Sequence, residues 1–379
     1  MGFLKNRQIN LLNIHTSLFR FADNTYTVFG MVYFLKQGIP IYFTLLVWAF
    51  IYFMRVVIRP FSLKLQIKIG LKKSVILGTL FFAGIFPLLS HVHGLGVWLV
   101  IFMIYVSTSD TLYWLPFHAY YSAMGDAEHR GKQFGAREAL TTVFTSVAPL
   151  TGGFLIGHFG FWSAYTLSAF VMILSAIPVF LMKECSPGKE LNLKQAMKEL
   201  DFDGFKLLLG DSISSNANAF LWPVVLFLLV GNFVMVGGIM TLELFLTAIL
   251  FLVLGHYFDK GKGERILTIA LILYVTVIMG RSLFVYNTVT ILIFEVLAAF
   301  MICFYSSALN PIFYNLSKRS HNTLWYHFFG EVGWDIGAFL TFSAGALITF
   351  MGVHLRYVML LALIGLFIAK VVMEKYFRS

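Results

Sequence analysis

The chain has 379 residues, of which 59% are hydrophobic and only 12% are Asp, Glu, Lys or Arg. A soluble domain needs roughly a quarter charged residues; here Phe alone (41) nearly matches the 28 basic and 18 acidic residues combined, which excludes a water-soluble globular enzyme or binding module. The formal charge of +10 does not point to nucleic acid, because the basic residues fall in short loops between apolar runs.

In chain order, apolar runs long enough to cross a bilayer predict spans at 14–36, 39–59, 73–92, 94–121, 133–157 and 161–182. A polar segment follows, then spans at 212–232, 234–258, 265–283, 286–315, 323–349 and 354–373. Each is expected to be a helix, since a segment in hydrocarbon must satisfy its own backbone hydrogen bonds. The fold class is therefore an all-α membrane protein with twelve transmembrane helices. Residues 1–10 show no cleavable signal pattern and lead straight into the first span. Cys185 and Cys303 lie far apart in sequence and suggest neither a disulfide framework nor a metal site; no cofactor is expected.

The loops orient the chain. With the N-terminus inside, Lys5, Arg7, Arg59, Lys64, Lys68, Lys72, Lys73, Arg130, Lys132, Lys183 and most later basic residues fall on the cytoplasmic side. The outer side keeps Lys36, Arg281 and Arg356. That bias predicts a plasma (inner) membrane protein with both termini cytoplasmic. The polar segment divides the chain into a six-helix bundle at 1–183, a cytoplasmic linker at 184–211 and a second six-helix bundle at 212–379. Leu191, Leu193, Met197 and Leu200 alternate with Lys194, Lys198 and Glu199, which suggests a short amphipathic helix on the inner face of the lipid bilayer. A flexible linker is the alternative.

The halves echo each other. Pro116 is followed by Arg130, Gly131 and Glu138, and Pro311 by Lys318, Arg319 and Glu331. Such duplication is common in transporters, with a site between the repeats.

At this point the whole chain resembles the major facilitator superfamily. That family's loop between spans two and three reads Gly-x-Leu-Ala-Asp-Arg-x-Gly-Arg-Lys. Leu65, Lys68, Gly70 and Lys72 fit it, whereas Leu63 and Ile67 replace its Gly and Asp. In the family that Asp caps a neighbouring helix and holds the inner gate. Between spans eight and nine, Gly255, Asp259 and Lys260 are in register, followed by Lys262 and Arg265. Span five resembles the family's antiporter motif through Gly135, Pro149, Gly152 and Gly153, with Phe144 and Ala148 replacing two glycines. The resemblance implies alternating access and leans towards export. It identifies no subfamily and no substrate.

A charge in hydrocarbon costs at least about 2.5–3.5 kcal/mol, so buried charges call for a reason. Span one carries Arg20 and Asp23, span four Asp110 and His118, span five Arg137 and Glu138, span eight Glu243, span ten Glu295, and span eleven Glu331 and Asp335. Spans three, six, nine and twelve read as apolar inside, which in the resembled fold makes them outer supports while one, four, seven and ten line a cavity. Glu331 and Asp335 share one helix face, and two carboxylates that close favour holding a proton between them. Competing readings make Arg20 with Asp23, or Arg137 with Glu138, static bridges, and Asp110 or Glu243 a helix-to-helix hydrogen bond. His118 reads more readily as a packing residue than as a relay. Asn216 and Asn218 bind solute or merely bridge helices, and Trp114, Trp222 and Trp334 line the cavity or sit at the interface.

Together these observations predict a monomeric, proton-coupled secondary transporter. Its partners are protons and a small cationic or polar neutral solute, because carboxylates outnumber the basic residues at mid-depth. The alternative is a membrane-embedded enzyme or lipid-handling protein using intramembrane Glu, Asp and His for acid–base chemistry.

Overall fold

A computed structural model of the chain describes residues 6–124, 130–185, 197, 202–258, 263–320 and 322–378. Twelve helical crossings follow one another. In the first half they are α1 (Arg7–Lys36), α2 (Ile41–Ile69), α3 (Leu71–Leu89), α4 (Val97–Met124), α5 (Arg130–Thr145 continued by Ala148–Phe159) and α6 (Phe161–Phe180). The second half opens with α7, which runs Phe202–Asn216, passes a π turn at Ala217–Leu221 and ends Trp222–Val230. After it come α8 (Phe233–Phe258), α9 (Gly263–Leu283), α10 (Thr288–Arg319), α11 (Thr323–Phe350) and α12 (Leu355–Arg378). Among the described residues, eleven helices are long and apolar enough to cross a membrane. The remaining one, α1, has the length at 30 residues but is more polar, since Arg20, Asp23 and Asn24 interrupt it.

Prolines account for the irregular places. Pro149 has no N–H for the carbonyl of Thr145, and α5 breaks at that residue. Pro223 likewise offers nothing to the carbonyl of Ala219, and α7 widens there into its π turn. Between α2 and α3 the chain turns on Gly70, whose φ of 91° lies in the left-handed region that favours glycine.

Helix pairing repeats. In the first half α1 packs on α5 and α6, α3 on α4 and α6, and α2 on α4; in the second, α7 packs on α11 and α12, α9 on α10 and α12, and α8 on α10. Each pair maps onto its counterpart six helices later. Contacts between the halves obey the same rule, α2 meeting α11 as α8 meets α5. This is a two-bundle architecture with a pseudo-two-fold relation.

The seventh span differs from expectation. Residues 202–211 belong to helix α7, not to a linker, and Asp203 is held by Lys375 of α12 at 2.6 Å. Asp203, Lys206 and Asp211 gave this segment a loop-like composition, while its apolar face packs on α11 and α12. Apart from Met197, the residues of the suggested amphipathic helix lie outside the described residues, as do Asp259 and Lys260.

Candidate functional site

A cavity of about 340 Å³ lies between the halves. Asp23 and Tyr26 of α1, Asp110, Trp114 and His118 of α4, Asp211 and Phe220 of α7, and Asn310 and Phe313 of α10 line it. They are joined by Trp48, Tyr52 and Arg55 of α2 and by Glu331 and Trp334 of α11. The four helices expected to line a cavity do so, and α2 and α11 complete it. The supporting role expected of span three needs correction, because Phe82 and Ile85 of α3 also reach the cavity.

The densest charge cluster bridges the halves beside this cavity. Arg55 and Arg59 lie one turn apart on α2, and Glu331 and Asp335 one turn apart on α11. Asp335 sits 2.7 Å from Arg55 Nε and accepts from Arg59 Nε at 2.9 Å. Glu331 lies 3.3 Å from Arg59 Nη2, 3.7 Å from Arg55 Nη2 and 3.5 Å from His118 Nε2. Asp110 lies 3.5 Å from Arg55 Nη1 and accepts from Trp114 Nε1 at 3.0 Å. The mutual repulsion of Glu331 and Asp335 is therefore offset by two guanidinium groups. Arg55 and Arg59 escaped the sequence reading: α2 extends to Ile69, so Arg59, read as a loop cation, is fully buried. Mid-depth carboxylates do not face a membrane empty of bases, which corrects the charge comparison made from sequence.

Two cavity carboxylates stand apart. Asp23 accepts from Thr27 Oγ1 at 2.9 Å and Asp211 from Ser215 Oγ at 2.8 Å. Among the described residues neither has a Lys, Arg or His within ion-pairing distance. Asp211 was hidden by its assignment to the linker. Its signal was the apolar run of Leu207, Leu208 and Leu209 just before it.

Arg20 pairs with Glu138 at 3.0 Å rather than with Asp23, and Arg137 holds the other oxygen of Glu138 at 2.8 Å. These residues line a second cavity of about 280 Å³, which shares His118 and Asn310 with the first. The halves also meet through His118 Nδ1 and Tyr314 at 3.0 Å, and through His327 Nε2, which bonds Ser122 of α4 at 2.7 Å and Ser317 of α10 at 3.0 Å.

Other candidates fall elsewhere. Glu243, Glu295 and Asn218 converge on Arg281 of α9 and line neither cavity. Arg281, read as an outer loop residue, is buried, so the apolar interior assigned to span nine is also corrected. Asn216 donates to the Ser212 carbonyl at 2.7 Å and accepts from Tyr52 at 3.3 Å, a bridge between halves. Trp222 is packed away from the cavity and donates to Glu295 at 2.7 Å.

The span-five residues have packing roles. A Cβ at Gly152 would meet the Thr25 carbonyl of α1, and one at Gly153 the Phe233 carbonyl of α8. Gly135 falls near the start of α5, and Gly255 near the end of α8. In the last turn of α2 Lys68 is exposed, and in the first turn of α3 Lys72 Nζ donates to the Phe180 carbonyl at 2.8 Å. The capping carboxylate that Ile67 cannot supply comes from Glu184, which accepts from Lys72 N at 3.0 Å at the start of α3.

Comparison with known proteins agrees with this geometry. The family model described as Major Facilitator Superfamily matches residues 16–246. No curated protein matches the sequence. Among solved structures, the E. coli fucose:proton symporter aligns with a TM-score of 0.69 at 13% identity, covering 98% of each chain. A proton dependent oligopeptide transporter gives 0.67 at 11%, covering 99% of this chain and 100% of its own. The human organic anion transporter TETRAN gives 0.61 at 11%, covering 96% and 99%.

Proposed function

We propose that this chain, which belongs to the major facilitator superfamily, is a proton-coupled secondary transporter of a small cationic or polar neutral solute. It works as a monomer in the plasma membrane with both termini cytoplasmic. One observation carries the reading: a cavity shared by two related halves, lined among the described residues by four carboxylates against a single arginine. A volume of about 340 Å³ lies in the range of ordinary small-molecule pockets. Its aromatic walls suit the apolar faces of a compact solute, and its net negative lining disfavours a strongly anionic one. Proton coupling is assigned to Asp23 and Asp211, the lining carboxylates that among the described residues have no Lys, Arg or His within ion-pairing distance. The titles of two fold neighbours, a fucose:proton symporter and a proton dependent oligopeptide transporter, support coupling to protons.

The halves must rock about the cavity to expose it to each side in turn. Arg55 and Arg59 with Glu331 and Asp335 join α2 to α11 beside the cavity, and His327 with Ser122 joins α11 to α4. Both sets span the halves, so one must loosen when the cavity opens inward. The test is reconstitution into proteoliposomes with an entrapped pH indicator and a panel of amines, sugars and short peptides. A solute that drives proton movement, and whose accumulation stops when the gradient is collapsed, is the expected result. Solute flux indifferent to the gradient would remove the coupling, and no flux across the panel would remove this solute class.

A further inference from the structure

The second half encloses a charged cluster that touches neither cavity. Arg281 of α9 is fully buried, Glu295 of α10 is fully buried, and Glu243 of α8 is 3% exposed. Both carboxylates converge on the same guanidinium nitrogen: Arg281 Nη2 donates to Glu295 Oε1 at 2.9 Å and also to Glu243 Oε2. From α7, Trp222 Nε1 donates to Glu295 Oε1 at 2.7 Å and Asn218 Oδ1 accepts from Arg281 Nη1. The Arg281 guanidinium stacks over the Trp222 ring at 4.4 Å. Tyr274, also on α9, is a further titratable group near Arg281.

Charge and hydrogen bonding then disagree with two ionised acids. The carboxylates supply two negative charges and Arg281 one positive; among the described residues no second Lys, Arg or His lies within ion-pairing distance. A bare negative charge sealed among apolar helices is costly. Glu243 and Glu295 both accept from the same Arg281 nitrogen, which draws their oxygens together, yet ionised carboxylates only accept. Consistently, Glu295 Oε2 is buried and finds no donor. A single proton removes the excess charge and supplies the missing donor together.

We propose that Glu243 and Glu295 hold one proton between them on Arg281, a proton-binding site in the second half separate from the solute cavity. It goes beyond the coupling assigned to Asp23 and Asp211, and it has a mechanical route to the solute. Asn218 and Trp222 flank Phe220, which lines the cavity, and the three residues sit on or beside the π turn of α7. A solute that shifts Phe220 shifts two contacts of the proton site.

Infrared difference spectra of the purified protein test this without any solute. Subtracting E295Q, or separately E243Q, from the wild type at neutral pH should show loss of a protonated carboxyl C=O band with carboxylate intensity unchanged. Loss of a carboxylate stretch with no C=O band overturns the proposal. The double variant E243Q/E295Q, which leaves Arg281 unpaired, should melt well below either single variant; equal melting also overturns it. Should a single variant fail to fold, wild-type protein carrying ¹³C-labelled Glu answers the same question. A downshifted Glu C=O band that resists deuterium exchange is expected, and its absence overturns the proposal. These spectra are independent of transport, so failure of either reading is visible by itself.

Discussion

Asp23 and Asp335 are both buried aspartates in membrane helices, and their partners make them opposites. Asp23 faces the cavity with a hydroxyl for company, so changing its protonation costs no ion pair. We predict that Asp23→Asn folds normally but lowers proton-driven accumulation at least about tenfold, a change of about 1.4 kcal/mol, while solute exchange at equal pH persists. Wild-type accumulation in that variant would move the coupling elsewhere. Asp335 accepts from Arg59 and pairs in charge with Arg55. Removing one partner of a buried pair leaves the other charge uncompensated, so Asp335→Asn should cost about 3–5 kcal/mol, read as a lower melting temperature. The paired change Arg59→Met with Asp335→Leu should recover most of that stability while transport stays impaired. If it restores both, the α2–α11 cluster is only structural.

At the scale of helices, two contacts join the halves by different physics. The α2–α11 contact is held by charge, whereas the α5–α8 contact is held by close approach of backbones. Gly153 faces the Phe233 carbonyl and Gly237 of α8 faces the Pro149 carbonyl, and small residues at such crossings gain packing where no hydrophobic force acts between helices. Gly153→Val must push the helices apart; overpacking of this kind costs about 1–3 kcal/mol. A lower melting temperature and slower transport are expected, and unchanged values for both would show that α5 and α8 do not pack this closely. Pro149, Gly152 and Gly153 are thereby explained as packing, whichever way the solute moves.

For the whole molecule, the repeated pairing of helices means that opening one side requires closing the other. One side of the molecule is held by Ser122 with His327 and by His118 with Tyr314, each pair reaching from one half to the other. With Cys185 and Cys303 replaced, S122C and H327C joined by a short cleavable crosslinker should stop transport in both directions. Reductive cleavage should restore it. Transport that continues in the linked protein would mean that the halves do not separate there.

Much of this was legible in the chain. Apolar runs are local, and each is long enough to require a helix in lipid, so composition and spacing determined the fold class and the number of crossings, while the family resemblance implied the central placing of Asp23 and Asp110. Boundaries were blurred where polar residues belong to a helix, as for Asp203 and Asp211 at the start of α7 and Arg59 near the end of α2. Which charge answers which was decided only by the tertiary structure. Arg55 and Arg59 precede Glu331 and Asp335 by hundreds of positions, and Arg281 meets Glu243 and Glu295 across three helices. A pairing between helices depends on their rotation and crossing, and no local pattern of residues records either.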